Sequence, residues 1–248
     1  MRDHLLEELW QSAPPTTARF DPASMTALPP AARRYLEHAL APGARLATAM
    51  RVDMHGELKL GDAWHDFTAE QVLRWDRGFV WHAKTRMKGL PVSGSDRLVD
   101  GEGVMRWKML GLVLVMSAEG PDIARSGAGR LHAESLWMPG VLLGEDTVWS
   151  GGDEAHPHAV IRAHGELSEL ELAIEPDGAL SGFKLARWGK VDDTPFHYED
   201  FGGSAANERT FDGITIPTSY RVGWFYGSER FEAEGEFIRL QLDRVTYR

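Results

Sequence analysis

One carboxylate in this chain stands out by its company. In GRLHAESLWMP, residues 129–139, Glu134 shares a helical side with Leu131, Trp137 and Met138, because residues three and four apart are neighbours on a helix. Arg130 lies one turn earlier and can pair with it. Desolvation in an apolar stripe raises a carboxyl pKa, and a nearby guanidinium opposes the rise. Such an acid either clamps the helix to a sheet or serves as the acid–base group of a hydrolase. The pattern predicts Glu134 turned toward the sheet and at least half buried. A glycosidase needs a second carboxylate roughly 5 to 10 Å away, and Glu199 and Asp200 are the candidates.

Ten histidines raise the question of a metal. In DEAHPHAVIRAH, His156, His158 and His164 with Asp153 or Glu154 have the makings of a two-histidine, one-carboxylate site. Arg162 falls where a strand-borne ligand acid is wanted, so solvated histidines in an acidic loop are the simpler reading, and no metal is assigned. Cofactor motifs are missing too. GEG at Gly101 and GAG at Gly127 lack the third glycine of a dinucleotide loop, and neither a phosphate loop nor a Gly-x-Ser-x-Gly elbow occurs. The expected cofactor set is therefore empty. The aromatics say more. Trp81, Trp107 and Trp224 fall at inward positions of predicted strands, and Trp137 sits beside Glu134, so these four with Glu134 and Arg130 are the candidate ligand-binding residues.

Composition narrows the classes of partner. The chain has 248 residues, no cysteine and a net charge of −10. Disulfides, thiolate catalysis and cysteine-bound zinc are excluded. An acidic chain repels phosphate backbones and anionic bilayers, so neither nucleic acid nor a membrane surface is an expected partner. Glu7 and Glu8 interrupt the apolar start needed for a signal peptide, and the most apolar run, MLGLVLVMSA, is too short to cross a bilayer. That run is expected to be a buried strand, and the protein a cytoplasmic one.

These side chains must be held by a mostly β framework. Residues 1–45 read as a helical segment packing on the main body: HLLEELW is one helix, Asp21 caps a second start at Pro22, and Pro30 opens a third. Residues 46–248 read as one antiparallel β-rich domain. MRVDMHGELKL alternates dry Met50, Val52, Met54, Leu58 and Leu60 with polar residues. Similar runs recur between tight turns, and SYRVGWFYG places Tyr220, Val222, Trp224 and Tyr226 on one face. The last strand changes parity between Phe237 and Ile238, which a bulge would explain. One helix near 122–138 interrupts the strands. The fold class is α+β: a large curved antiparallel sheet, an open or half barrel, with N-terminal helices and one central helix packed on it.

GFVWHAKTRMKGLPVSGSDRLVDGEGVMRWKMLGLVLV, GRLHAESLWMPGVLL and RTFDGITIPTSYRVGWFYGSERF together resemble an uncharacterised bacterial family of unknown function. The most specific part is an Arg-Leu-x-x-Glu-x-x-Trp-x-Pro helix motif: Arg130, Leu131, Glu134, Trp137 and Pro139. The resemblance runs from about Leu28 to the last residue and carries no activity with it. The architecture is similar to that of lipoprotein carriers, whose open barrels hold acyl chains, although this chain lacks an export signal and a lipidation cysteine. The leading expectation is a small apolar or amphipathic ligand, a lipid or acyl group, on the concave face of the sheet. The alternatives are a hydrolase using Glu134 and an interaction domain that offers its sheet edges.

Overall fold

Prolines and an aspartate start the helices as the sequence requires. In the computed structural model, which describes residues 4–192 and 194–248, α1 (His4–Gln11) is followed by a tight turn of helix at Pro22–Met25 and by α2 (Pro30–Ala39). The Asp21 carboxylate accepts the Ala23 amide at 2.9 Å and caps the turn. Tyr35, Leu36 and Leu40 are buried against the sheet. Helix α1 takes the opposite face: Leu6, Leu9 and Trp10 pack on Val72, Val80 and Val99 from outside.

Period-two alternation then yields thirteen strands among the described residues: β1 (Ala49–Leu60), β2 (Ala63–Arg74), β3 (Gly78–Met87), β4 (Leu90–Val99), β5 (Glu102–Met109), β6 (Val113–Glu119), β7 (Thr147–Gly152), β8 (Pro157–Ala163), β9 (Glu166–Ile174), β10 (Leu180–Gly189), β11 (His197–Phe211), β12 (Ile214–Trp224) and β13 (Glu236–Tyr247). They form one antiparallel sheet ordered β6-β5-β4-β3-β2-β1-β13-β12-β11-β10-β9-β8-β7. The class is α+β with an open, curved sheet. Two meanders meet at the β1–β13 pair, and the free edges are β6 and β7. The element joining those edges is α3 (Pro121–Glu134), which lies across the concave face.

Three local readings change. The helix expected near 122–138 is α-helical only to Glu134; Ser135–Trp137 tightens into a 3-10 turn, with the Ser135 hydroxyl donating to the His132 carbonyl at 2.6 Å. Tyr226 does not join Tyr220, Val222 and Trp224: Phe225 adopts a positive φ of 58° and turns the chain, so the Tyr226 ring packs over Gly202 on the outer face. The run MLGLVLVMSA is not buried. It forms the β5–β6 turn and the edge strand, where Leu112 is 84% and Val113 59% exposed, because nothing pairs beyond β6 and no element covers its outer side. The bulge does occur: Val222 pairs with Ile238 and Gly223 with Glu236, leaving Phe237 as the extra residue.

Helix α3 approaches the sheet closely because of small residues; a methyl at Gly103 of β5 would lie 2.2 Å from the Ala124 amide. Two polar anchors then fix its rotation. On one side Gln71 Nε2 donates to Glu134 Oε2 at 2.6 Å, Arg130 Nε to Glu134 Oε1 at 2.7 Å, and Arg130 Nη2 to Gln71 Oε1 at 3.0 Å. This closed ring satisfies Gln71, which is fully buried, and Glu134, whose side chain is 11% exposed. On the other side His132 Nε2 donates to the Ala163 carbonyl at 3.2 Å, so Nδ1 accepts the Ser168 hydroxyl at 2.8 Å. Burial keeps this imidazole neutral and pushes its pKa down to about 4.

Both anchors give measurable consequences. Glu134→Gln must place its NH₂ against either the Arg130 Nε–H or the Gln71 amide, since both carboxylate oxygens already accept. The loss is on the order of 1–3 kcal/mol, read as a lowered Tm at pH 7; an unchanged Tm would contradict the ring. For His132 the folded pKa lies below its ordinary 6.5, so the unfolded chain binds the extra proton and stability falls as pH drops from about 6.5 to about 4. Across that window His132→Gln will show a shallower pH dependence of urea stability than the parent, by up to about 3 kcal/mol in total. Parallel curves would show that His132 is not buried neutral.

Candidate functional site

Helix α3 covers only part of the concave face, and a cavity of about 710 Å³ remains between them. Pairing across β2 to β6 sets one of its walls. Gln71, Trp81, Asp96, Met105 and Ala118 are successive partners in a single cross-strand row on the inner face, and the last four border the cavity. Trp81 is 5% exposed and packs edge-on against Phe67. Opposite stands an aromatic wall from β10 to β13. Phe201 and Trp224 meet edge to face at 5.2 Å, and the bulged Phe237 joins both at 6.3 and 6.5 Å. Without the bulge, Phe237 and Ile238 would point to opposite faces; with it, both reach the cavity.

Five charged side chains line this space: Arg130, Glu134, Asp96, Arg187 and, at its exposed rim just after β10, Lys190. Arg130 is held by Glu134, stacks on Phe79 and Trp81 at 4.5 and 5.3 Å, and comes within 3.9 Å of Asp96. Asp96 accepts the Trp107 indole N–H at 3.0 Å. Burial pushes the Asp96 carboxyl upward, with Arg130 opposing the rise. The fourth is Arg187 on β10. Its guanidinium lies 4.5 Å over Phe201 and 5.3 Å over Trp224, and among the described residues its hydrogen bonds go to Ser126 alone: Nε to the carbonyl at 3.1 Å and Nη2 to Oγ at 3.3 Å. Desolvation is the largest influence on Arg187 and pulls its pKa down to about 9.

Of the residues singled out from sequence, Trp81, Trp137, Trp224, Arg130 and Glu134 all border the cavity. Trp107 lies one layer behind, packed on Trp81 at 5.7 Å and tied to Asp96. Glu199 and Asp200 do not join Glu134. Asp200 lies on the outer face, ion-paired with Lys184 at 2.8 Å, and Glu199 approaches His197 at 3.5 Å. The histidine cluster is dispersed: His156 bonds Asp153, His158 bonds Glu169, and His164 donates to the Trp75 carbonyl in the β8–β9 turn. Among the described residues no group of three metal-ligating side chains converges. A groove of similar size, about 720 Å³, crosses the outer side of β9 to β11, but it is open and lined by charges such as Glu166, Glu169 and Lys184.

Asp96 and Arg187 were not picked out from sequence, although a signal exists. Asp96 shares its strand face with Gly94 and Leu98, and Arg187 with Phe183 and Leu185; both are charges at dry positions of their strands.

No helix among the described residues is long and apolar enough to cross a membrane. A LolA superfamily protein from Nitrosomonas europaea is similar in structure, with a TM-score of 0.44 and 9% identity over 88% of this chain and 92% of that one. A DUF1329 family protein from Desulfovibrio piger gives a TM-score of 0.40 and 9% identity over 81% and 86%. No curated protein matches the sequence. Residues 26–247 match the model of a family of unknown function, DUF6920, and the chain belongs to that family.

Proposed function

We propose that the chain binds a small apolar or amphipathic ligand, a lipid or acyl group, in the cavity beneath α3. The observation that carries this reading is the cavity itself. Its volume of about 710 Å³ lies inside the roughly 300–1,000 Å³ typical of small-molecule sites. Its walls are mostly aromatic and aliphatic, with the polar groups gathered around α3, and this division suits a ligand with a long apolar part and one polar end. The reading leaves Glu134 a positioning role: both its oxygens are taken up in holding Arg130 and Gln71.

The neutral dye Nile red tests this without charge effects. Delipidated protein will bind it with a blue-shifted, enhanced emission, and hexadecanol will displace it. Ala118→Trp fills the cavity from the edge strand, where the fold tolerates bulk, and will weaken dye binding at least about tenfold, roughly 1.4 kcal/mol. Absence of dye binding, or binding indifferent to Ala118→Trp, would overturn the cavity reading.

A further inference from the structure

Two arginines face the cavity, and only one is matched. Arg130 has the Glu134 carboxylate at 2.7 Å, the Gln71 amide and Asp96 around it. Arg187 has no carboxylate within ion-pairing distance among the described residues; the hydroxyl and carbonyl of Ser126 engage two of its five N–H groups. Its stem is fixed, since a methyl at Gly129 of α3 would lie 3.0 Å from Cγ, and its plane is held over Phe201 and Trp224. The guanidinium is partly buried and keeps free donors, and Glu134 and Asp96 attract it only from beyond ion-pairing distance, so a bound anion would relieve a real desolvation cost.

We propose that Arg187 is the anchor for a single-chain carboxylate ligand, whose head forks onto the free guanidinium N–H groups while its chain lies along the wall of Trp224, Phe237 and Ile238. Arginine favours this planar, two-point recognition of an oxyanion. The acids already present do not fill the role. Glu134 is committed to Arg130 and Gln71, and Asp96 is turned to Trp107 and Arg130. Burial also drives Asp96 toward its neutral form, which lowers the repulsion an incoming anion meets.

The proposal rests on the cavity reading, and three probes of equal chain length separate the two. Palmitate, hexadecanol and hexadecyl phosphate are titrated against Nile red. In the parent protein palmitate will bind at least about tenfold tighter than hexadecanol. Arg187→Met will bring palmitate to the alcohol's affinity and leave the alcohol unchanged, and Arg187→Lys, which keeps charge but not the fork, will fall between. Equal affinity for acid and alcohol in the parent, or a preference that survives Arg187→Met, overturns the anchor while the cavity stands. Hexadecyl phosphate binding tighter than palmitate overturns the carboxylate assignment. Failure of every chain to bind overturns the cavity itself. If Arg187→Met does not fold, the Arg187→Lys comparison decides.

A separate observation concerns the β5–β6 tip. Leu110, Leu112, Val113 and Leu114 are each more than half exposed there. The turns of β3–β4 and β5–β6 lie side by side, with the Leu110 amide donating to the Pro91 carbonyl at 2.9 Å. Lys84, Lys88 and Lys108 surround the apolar tip and have no carboxylate partner among the described residues, and the Arg86 side chain donates to the Gly89 carbonyl. Between residues 79 and 118 the acids are Asp96, Asp100 and Glu102, of which the first faces the cavity and the others sit at the opposite turn. On the neighbouring β2 the exposed Asp66 lies opposite Arg86, with β3 and β4 between it and β5, and Asp62 lies in the β1–β2 turn. The net charge of −10 therefore does not describe this corner, and screening over roughly 8 Å confines the contest to local charges.

We infer that the tip docks on an anionic bilayer, the leucines entering the interface and the lysines contacting headgroups. Sedimentation with vesicles of phosphatidylcholine and phosphatidylglycerol (3:1) will carry the protein down at low salt. Vesicles of phosphatidylcholine alone will not. Leu112→Glu, at a position 84% exposed and so harmless to folding, will abolish the binding. Binding absent from the anionic vesicles, or unaffected by Leu112→Glu, overturns the docking. A concentration-dependent dimer that buries the tip in place of vesicle binding assigns it to a second copy and overturns it equally.

Discussion

A helix of fourteen residues spans about 21 Å, whereas thirteen strands set side by side extend about 60 Å around their curve. That mismatch governs the molecule. Helix α2 and the 3-10 turns after α3 fill one end of the trough with Tyr35, Leu36, Leu136 and Leu142. The other end is left with aromatic walls and no filling. The cavity is thus what remains when a broad open sheet is covered by too little helix.

The interior charges follow the same division. Where α3 touches the sheet, each polar group has an internal partner: Gln71, Glu134 and Arg130 close on one another, and His132 stays neutral between Ser168 and a carbonyl. Over the cavity, Arg187 has only Ser126 as a hydrogen-bond partner among the described residues. Low local polarity strengthens satisfied networks and penalises unsatisfied groups. One environment therefore yields a rigid anchor on one side of the helix and an unmet guanidinium a few residues along.

The framework was legible because alternation and turn chemistry are local. Met50 to Leu60, the Asp21–Pro22 start and the parity change at Phe237 each announce themselves within a few residues. Glu134 was legible for the same reason, its apolar companions lying one turn away. Asp96 and Arg187 were not, because their meaning depends on register: Asp96 matters through Trp81 and Met105 on neighbouring strands, and Arg187 through a helix sixty residues earlier. The run from Met109 to Ala118 misled in the opposite sense. Hydropathy describes what a segment prefers, and an edge position denies it a partner. Tyr226 escaped its face through the single positive φ at Phe225, which no alternation pattern records.

The order of the strands gives the molecule a mechanical character. The free edges, β6 and β7, are the strands joined by α3, while the middle of the sheet is the β1–β13 pair, held by an unbroken ladder from Met50–Tyr247 to Leu58–Ile238 apart from one bulge at Asp243, opposite Asp53 and Met54. The arrangement is that of a bracelet, with a stiff back and a clasp across the gap. Pulling the edges apart loads α3 directly through Gly120 at one end and the 3-10 turns at the other. The aperture of the trough and the seating of the helix are therefore one coordinate.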